Sequence, residues 1–192
     1  MMRFFFLLAL LPWTSVMHAQ PVSPLPVVEA NADRVHRDGQ SFFSIQASGF
    51  ALAAPQQAWR VLTDYDRLDE FVPDLLSSRL ITRSAHQATI EQRSEAGFLF
   101  VSHTVHMVVR VTEQPFSSID VALVSGNMQR YTGHWQLVSA TRDGVQGTLV
   151  SYAGTMEPDF FVPPLFGASA VQTNVRKMVT AVVQEIDRRS TH

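Results

Sequence analysis

Between Leu76 and Asp159 apolar and polar residues alternate with a period of two, and turn signals interrupt them at Gly97, Pro115, Gly126-Asn127 and Asp143-Gly144. The spacing predicts strands over 78–85, 88–95, 98–113, 118–125, 129–140 and 145–157. In the run from Phe98, Val101, His103, Val105, Met107, Val109 and Val111 share one face. Ser102, Thr104, His106, Arg110 and Thr112 take the other, with Val108 as the apolar exception. Such alternation predicts an antiparallel sheet with one covered and one wet face. Upstream, Arg37-Asp38-Gly39-Gln40 carries a hairpin signal between a short strand over 31–37 and a longer one from Ser41 to Ala53.

The period lengthens twice. Pro55 suits the first turn of a helix, where a missing N–H costs nothing, and Ala58, Val61 and Leu62 follow at helical spacing. A second short helix is expected over Arg67 to Phe71, ended by Pro73. At the far end Val171, Val175, Met178, Val179, Val182 and Ile186 form one apolar stripe, opposite Thr173, Lys177, Thr180 and Gln184. Arg188 and Arg189 complement the C-terminal end of that helix dipole. The expected fold class is α+β: an antiparallel sheet of about six to seven strands around a long C-terminal helix. Two short helices follow the first long strand.

The N-terminal segment obeys different rules. Arg3 precedes ten apolar residues, Phe4 to Trp13, too few to cross a hydrocarbon core of about 30 Å. The polar and small residues after them resemble a secretory cleavage region, so residues 1–19 are expected to be a signal peptide and the protein to be secreted, into a periplasm. Residues 20–30 contain the proline-rich PVSPLP and are expected to be a linker, leaving residues 31–190 as one domain. A net charge of −2, with arginines scattered along the chain, argues against a nucleic-acid partner. The absence of cysteine excludes disulfides, thiolate metal sites and a cysteine nucleophile.

Candidate chemistry is sparse. No GxSxG, HExxH or Walker loop is present, and no catalytic residue is assigned. Asp64, Asp66, Asp69, Glu70 and Asp74 lack the spacing of a calcium loop and are expected to be solvated or to cap helix starts. No metal and no cofactor are expected.

The run AWRVLTDYDRLDEFVPDLLSSRLITR, Ala58 to Arg83, resembles the first helical region of the START-like (SRPBCC) superfamily. The chain is similar within it to the polyketide cyclase/dehydrase and lipid transport group, which includes coenzyme Q-binding START-like proteins. FLFVSHTVHMVVRVTE, from Phe98, resembles the long central strand of that group. GHWQLV, from Gly133, and GTLVSYAGTMEPDFFVPP, from Gly147, resemble its closing strands and the approach to the last helix.

The resemblance implies a helix-grip fold with an apolar cavity between sheet and helix, and a hydrophobic small molecule as partner. Alternation then places Ile90, Gln92, Val101, His103, Val105, Met107, Val121, Leu123, Trp135 and Leu137 on the cavity face. Val171, Val175 and Val179 face them from the helix, and Phe161 is expected at the cavity from the stretch before it. Ile45 and Ile119 share that face, and Ser94 joins Gln92 at a polar end. The same pattern would also describe a filled core. Phe160, Phe161, Pro163, Pro164, Leu165 and Phe166 form a stiff apolar stretch, either a mouth making transient membrane contact or a loop packed on the sheet edge. His103 is either a donor orienting a carbonyl or a satisfied core histidine, and His134, alternating with Trp135, is expected to point outward. The functional expectation is an exported carrier of a lipid or isoprenoid quinone. An aromatase/cyclase-like enzyme and a protein-contact module with a collapsed cavity stand as alternatives.

Overall fold

The computed structural model describes residues 27–98, 101–162 and 165–191; at Phe98 and Val101 only the backbone is described. The expected signal peptide, most of the linker, and Pro163 and Pro164 lie outside these residues. Eight strands form one sheet, one more than the upper expectation: β1 (Val28–Arg37), β2 (Gln40–Ala51), β3 (Leu75–Arg83), β4 (Gln87–Phe98), β5 (Val101–Gln114), β6 (Ser118–Gly126), β7 (Met128–Arg142) and β8 (Val145–Pro158). Helix α1 (Pro55–Leu62) and a 3-10 helix (Tyr65–Glu70) lie between β2 and β3, and α2 (Gly167–Ser190) ends the chain.

The strand order is β1-β2-β8-β7-β6-β5-β4-β3, with every neighbouring pair antiparallel. The two helical segments carry the chain from β2 to the opposite edge, and a meander from β3 to β8 returns it alongside β2. Two hairpins owe their tightness to consecutive left-handed residues. Asp38 and Gly39 have φ of 53° and 76°, and Asp143 and Gly144 have 51° and 78°, the geometry that matches the strand twist in two-residue loops.

Three boundaries differ from the sequence pattern. β1 begins at Val28, so residues 28–30 belong to the sheet rather than to a linker; Val28, Glu29 and Ala30 pair with Gly49, Ser48 and Ala47. β3 begins at Leu75, and register shifts at Leu75/Ser77 and Leu80/Thr82 hide its period from simple alternation. Gly97 is no turn. It pairs with Ser102, so Phe98 closes β4 and Val101 opens β5.

Helix α2 lies across β1 and β2, and its stripe serves two neighbours. Val179 and Val183 press on Gly49, where an added Cβ would stand 2.9 Å from Val183 Cγ2. Val171, Val182 and Ile186 are also buried, each such side chain contributing about 1.5–3 kcal/mol. At the other end Trp59 of α1 meets Phe116, the rings 6.0 Å apart and edge to face.

Candidate functional site

The inner face of the sheet does not close fully onto α2. A cavity of about 270 Å³ remains, just under the ~300 Å³ at which small-molecule sites commonly begin. Ile90, Gln92, Ser94 and Ala96 of β4, and Val105, Met107, Val109 and Val111 of β5, form one wall. β6 adds Ile119 and Val121, β7 adds Met128, Tyr131 and Trp135, and β8 adds Tyr152 and Met156. The helix contributes Asn174, Val175, Met178 and Val182; Leu62, Tyr65, Leu68 and Val72 close the end under α1.

Two depressions on the outer face are larger, about 510 Å³ each. They are lined by polar side chains such as Ser44, Gln46, Arg110, Thr112 and Gln136, and offer an apolar molecule little surface to exchange for water. His134 belongs to that face, its Nδ1 2.7 Å from Asp120 Oδ1. Glu91 also points outward, accepting from Arg79 at 2.6 Å and lying 3.1 Å from His106. Arg79 first and His106 second hold its carboxyl below the usual range.

Of the residues expected at the cavity, Ile90, Gln92, Val105, Met107, Val121, Trp135 and Val175 line it. Ile45, Ile119 and Ser94 line it too. The side chain of Val101 lies outside the described residues. Leu137, Val171 and Val179 are packed in the core instead, and Leu123 packs partly buried against it. On α2, Asn174, Val175, Met178 and Val182 face the cavity; Val179 is turned further round the helix, and Val171 shares their side but lies one turn nearer the N-terminal end, before the lining begins.

His103 is not on the cavity wall. Its ring stacks on Phe160, centroids 4.3 Å apart and planes 12° apart, one position beyond the lining that ends at Ala96, its cross-strand partner. Of the two readings of His103, the orienting donor is not supported by its position: the ring props the segment after β8. Phe161 is 77% and Leu165 87% exposed, so neither lines the cavity, and between them Val162 is buried. The Val162 carbonyl accepts from Arg34 Nη2 at 3.1 Å, which ties the segment to β1.

Few polar groups reach the cavity. Gln92 donates to Ser78 Oγ at 3.4 Å. Tyr65 shows only its ring, because its hydroxyl donates to the buried Glu113 at 2.7 Å, and Arg83 donates to the same oxygen at 2.6 Å. Burial first, and Glu113 next, push the Tyr65 phenol far up. Tyr131 and Tyr152 place their hydroxyl oxygens 3.3 Å apart. Burial raises both phenols above their ordinary value. Among the described residues lining the cavity there is no Arg, Lys or His, and the carboxylates are Asp74 and Glu95.

The pairing of Tyr131 with Tyr152 escaped the sequence reading, although a signal was present. Tyr131, Gly133, Trp135 and Leu137 have the same parity along β7, and Tyr152 has that of Val150 on β8. Two members of the acidic cluster are structural without capping a helix: Asp66 accepts from the Leu80 N–H at 2.7 Å, and Asp64 from Arg189 at the same distance.

A family model described as polyketide cyclase / dehydrase and lipid transport matches residues 53–183. Comparison with curated proteins returns no match. Among solved structures, the chain is similar to a STAR-related lipid transfer protein from Xanthomonas axonopodis, at 15% identity and a TM-score of 0.62, covering 81% of this chain and 98% of that one. It is similar to the Zhui aromatase/cyclase from a Streptomyces species, at 13% identity and a TM-score of 0.63, covering 78% and 96%. A START superfamily protein from Mycobacterium smegmatis aligns at 10% identity and a TM-score of 0.64, covering 76% and 98%. At these identities the likeness establishes the fold, a START-like helix grip.

Proposed function

Given that the chain belongs to the polyketide cyclase/dehydrase and lipid transport family, we propose that it binds and carries a hydrophobic small molecule, a lipid or an isoprenoid quinone, between the sheet and α2. The observation that carries this reading is the cavity itself: a mainly apolar space of about 270 Å³ between the sheet and α2. Affinity comes from apolar burial at about 25 cal/mol per Å², less the ordering costs of association.

The protein is exported, on the strength of Arg3 followed by the apolar run from Phe4 to Trp13 and the polar and small residues after it. It exchanges its cargo by transient contact with a membrane, through Phe161, Leu165 and Phe166. These three side chains are exposed next to Phe160 and Val162, which are held by stacking on His103 and by Arg34.

The test is native mass spectrometry of the protein purified gently from its own cell envelope, followed by extraction and identification of bound lipid. A stoichiometric apolar ligand is the expected result. A clean apo mass, with no uptake from total envelope lipid, would falsify the carrier reading. A cyclase-like enzyme, as the Zhui aromatase/cyclase of the same fold is named, or a protein-contact module would then take its place.

A further inference from the structure

Tyr152 lies against a gap in the sheet. Gly133 and Gly154 are direct cross-strand partners on β7 and β8, and the Tyr152 ring occupies the space that their side chains would need. A Cβ at Gly133 would stand 3.2 Å from Tyr152 Cε2 and from its hydroxyl, and one at Gly154 would stand 2.9 Å from that hydroxyl. Trp135 packs on the ring, centroids 4.8 Å apart. The phenol is thus held in place before any ligand arrives, with Tyr131 Oη 3.3 Å from its own oxygen.

Proton accounting gives this pair its meaning. Two hydroxyls carry two protons, and the bond between them uses one. The hydroxyls have no other protein partner among the described residues. Burial favours the neutral phenols, so the second proton is a donor at neutral pH. Its unmet desolvation is a cost that a ligand acceptor removes. No cation lines the cavity among the described residues, so an anionic group would enter it uncompensated.

We infer that the Tyr131–Tyr152 hydroxyl pair orients the ligand, and that the ligand is an uncharged apolar molecule presenting a carbonyl-type acceptor oxygen rather than an anionic headgroup. This rests on the carrier reading and narrows its ligand class.

The test uses three probes of one ring skeleton: α-tetralone (ketone), tetralin (hydrocarbon) and tetrahydronaphthoate (anion). Each is titrated against Nile red bound to the purified protein. Wild type is expected to prefer the ketone to the hydrocarbon by about two- to twelvefold, the range of one net hydrogen bond, and to bind the carboxylate more weakly than the ketone. Tyr131→Phe and Tyr152→Phe each leave one hydroxyl and keep part of the preference. In the double variant the ketone falls to the affinity of tetralin measured on that same variant, and circular dichroism reports the intact fold. Equal affinity for ketone and hydrocarbon in wild type, a preference that survives in the double variant, or tightest binding of the carboxylate overturns the inference alone. Failure of all three probes, and of Nile red, overturns the carrier reading together with it.

Discussion

Arg189 and Asp64 stand 125 residues apart in sequence and 2.7 Å apart in space, the guanidinium Nη1 donating to Oδ2. The same arginine donates from Nε to Glu185 at 2.6 Å, and Arg188 adds two bonds of 2.7 Å to that carboxylate. The last turn of α2 is thereby tied to the corner after α1, beneath which the cavity ends.

This tie is acid-labile. Hydrogen bonding from Arg188, with Arg189, holds the Glu185 carboxyl at about 2 against the opposing effect of burial. A carboxyl depressed on folding stabilises the fold fully above its ordinary value of 4.5 and loses that contribution as pH falls towards 2. Asp187, raised by burial, acts in the opposite sense, so the variant is read against wild type. Urea unfolding at a series of pH values is expected to show a flatter acid limb for Glu185→Gln and a lower midpoint at neutral pH.

Gly154→Ala tests the space beneath Tyr152. The new methyl would come 2.6 Å from the Thr132 carbonyl oxygen, a backbone atom that cannot swing aside, and 2.9 Å from the Tyr152 hydroxyl. A loss of about 1–3 kcal/mol in chemical denaturation is expected, with a change in Trp135 emission as its partner ring moves. Unchanged stability and emission would mean that β8 relaxes there at no cost.

Filling the cavity should separate folding from binding. Val121 lines the cavity from β6 and is not part of the fully buried core. Val121→Trp is expected to retain the fold, with at most about 1–3 kcal/mol of packing strain, and to lose bound lipid in native mass spectra. A variant that keeps its cargo would place the ligand elsewhere.

The segment after β8 makes a separate prediction. Phe161→Ser with Leu165→Ser removes the two most exposed large apolar side chains of the described residues. Co-sedimentation with vesicles of phosphatidylethanolamine and phosphatidylglycerol is expected to fall at least tenfold, since burying each in lipid is worth about 1.5–3 kcal/mol. The melting temperature should not change. Equal sedimentation of variant and wild type would rule out this segment as the membrane contact.

Much of the fold was legible because periodicity is a local property. The strict alternation of β5 and the stripe of α2 each follow from which face is buried, and the Asp-Gly turns from backbone sterics. The site was legible only in part, because a cavity is defined by where packing stops. Val171 and Val179 satisfy the apolar pattern as well as Val175 does, yet only Val175 meets empty space. His103 has the parity of Val105 but lies one step past the end of the lining, where Phe160 covers it. The Tyr131–Tyr152 pair joins different strands, and its geometry depends on two glycines whose contribution is the side chain they lack.

The order of the sheet also sets when the domain can form. β2 leaves its neighbour unfilled until β8 is made: Phe43 pairs with Met156, and Ala51 with Thr148. α2, which follows β8, covers β1 and β2 last. A chain still missing those two elements holds Ile45, Ala47 and Ala51 on a strand paired only with β1 and uncovered by α2. Closure through such distant pairings belongs to the slow class of folding reactions, on the order of milliseconds to seconds. The native sheet is therefore complete only once β8 and α2 have both been made.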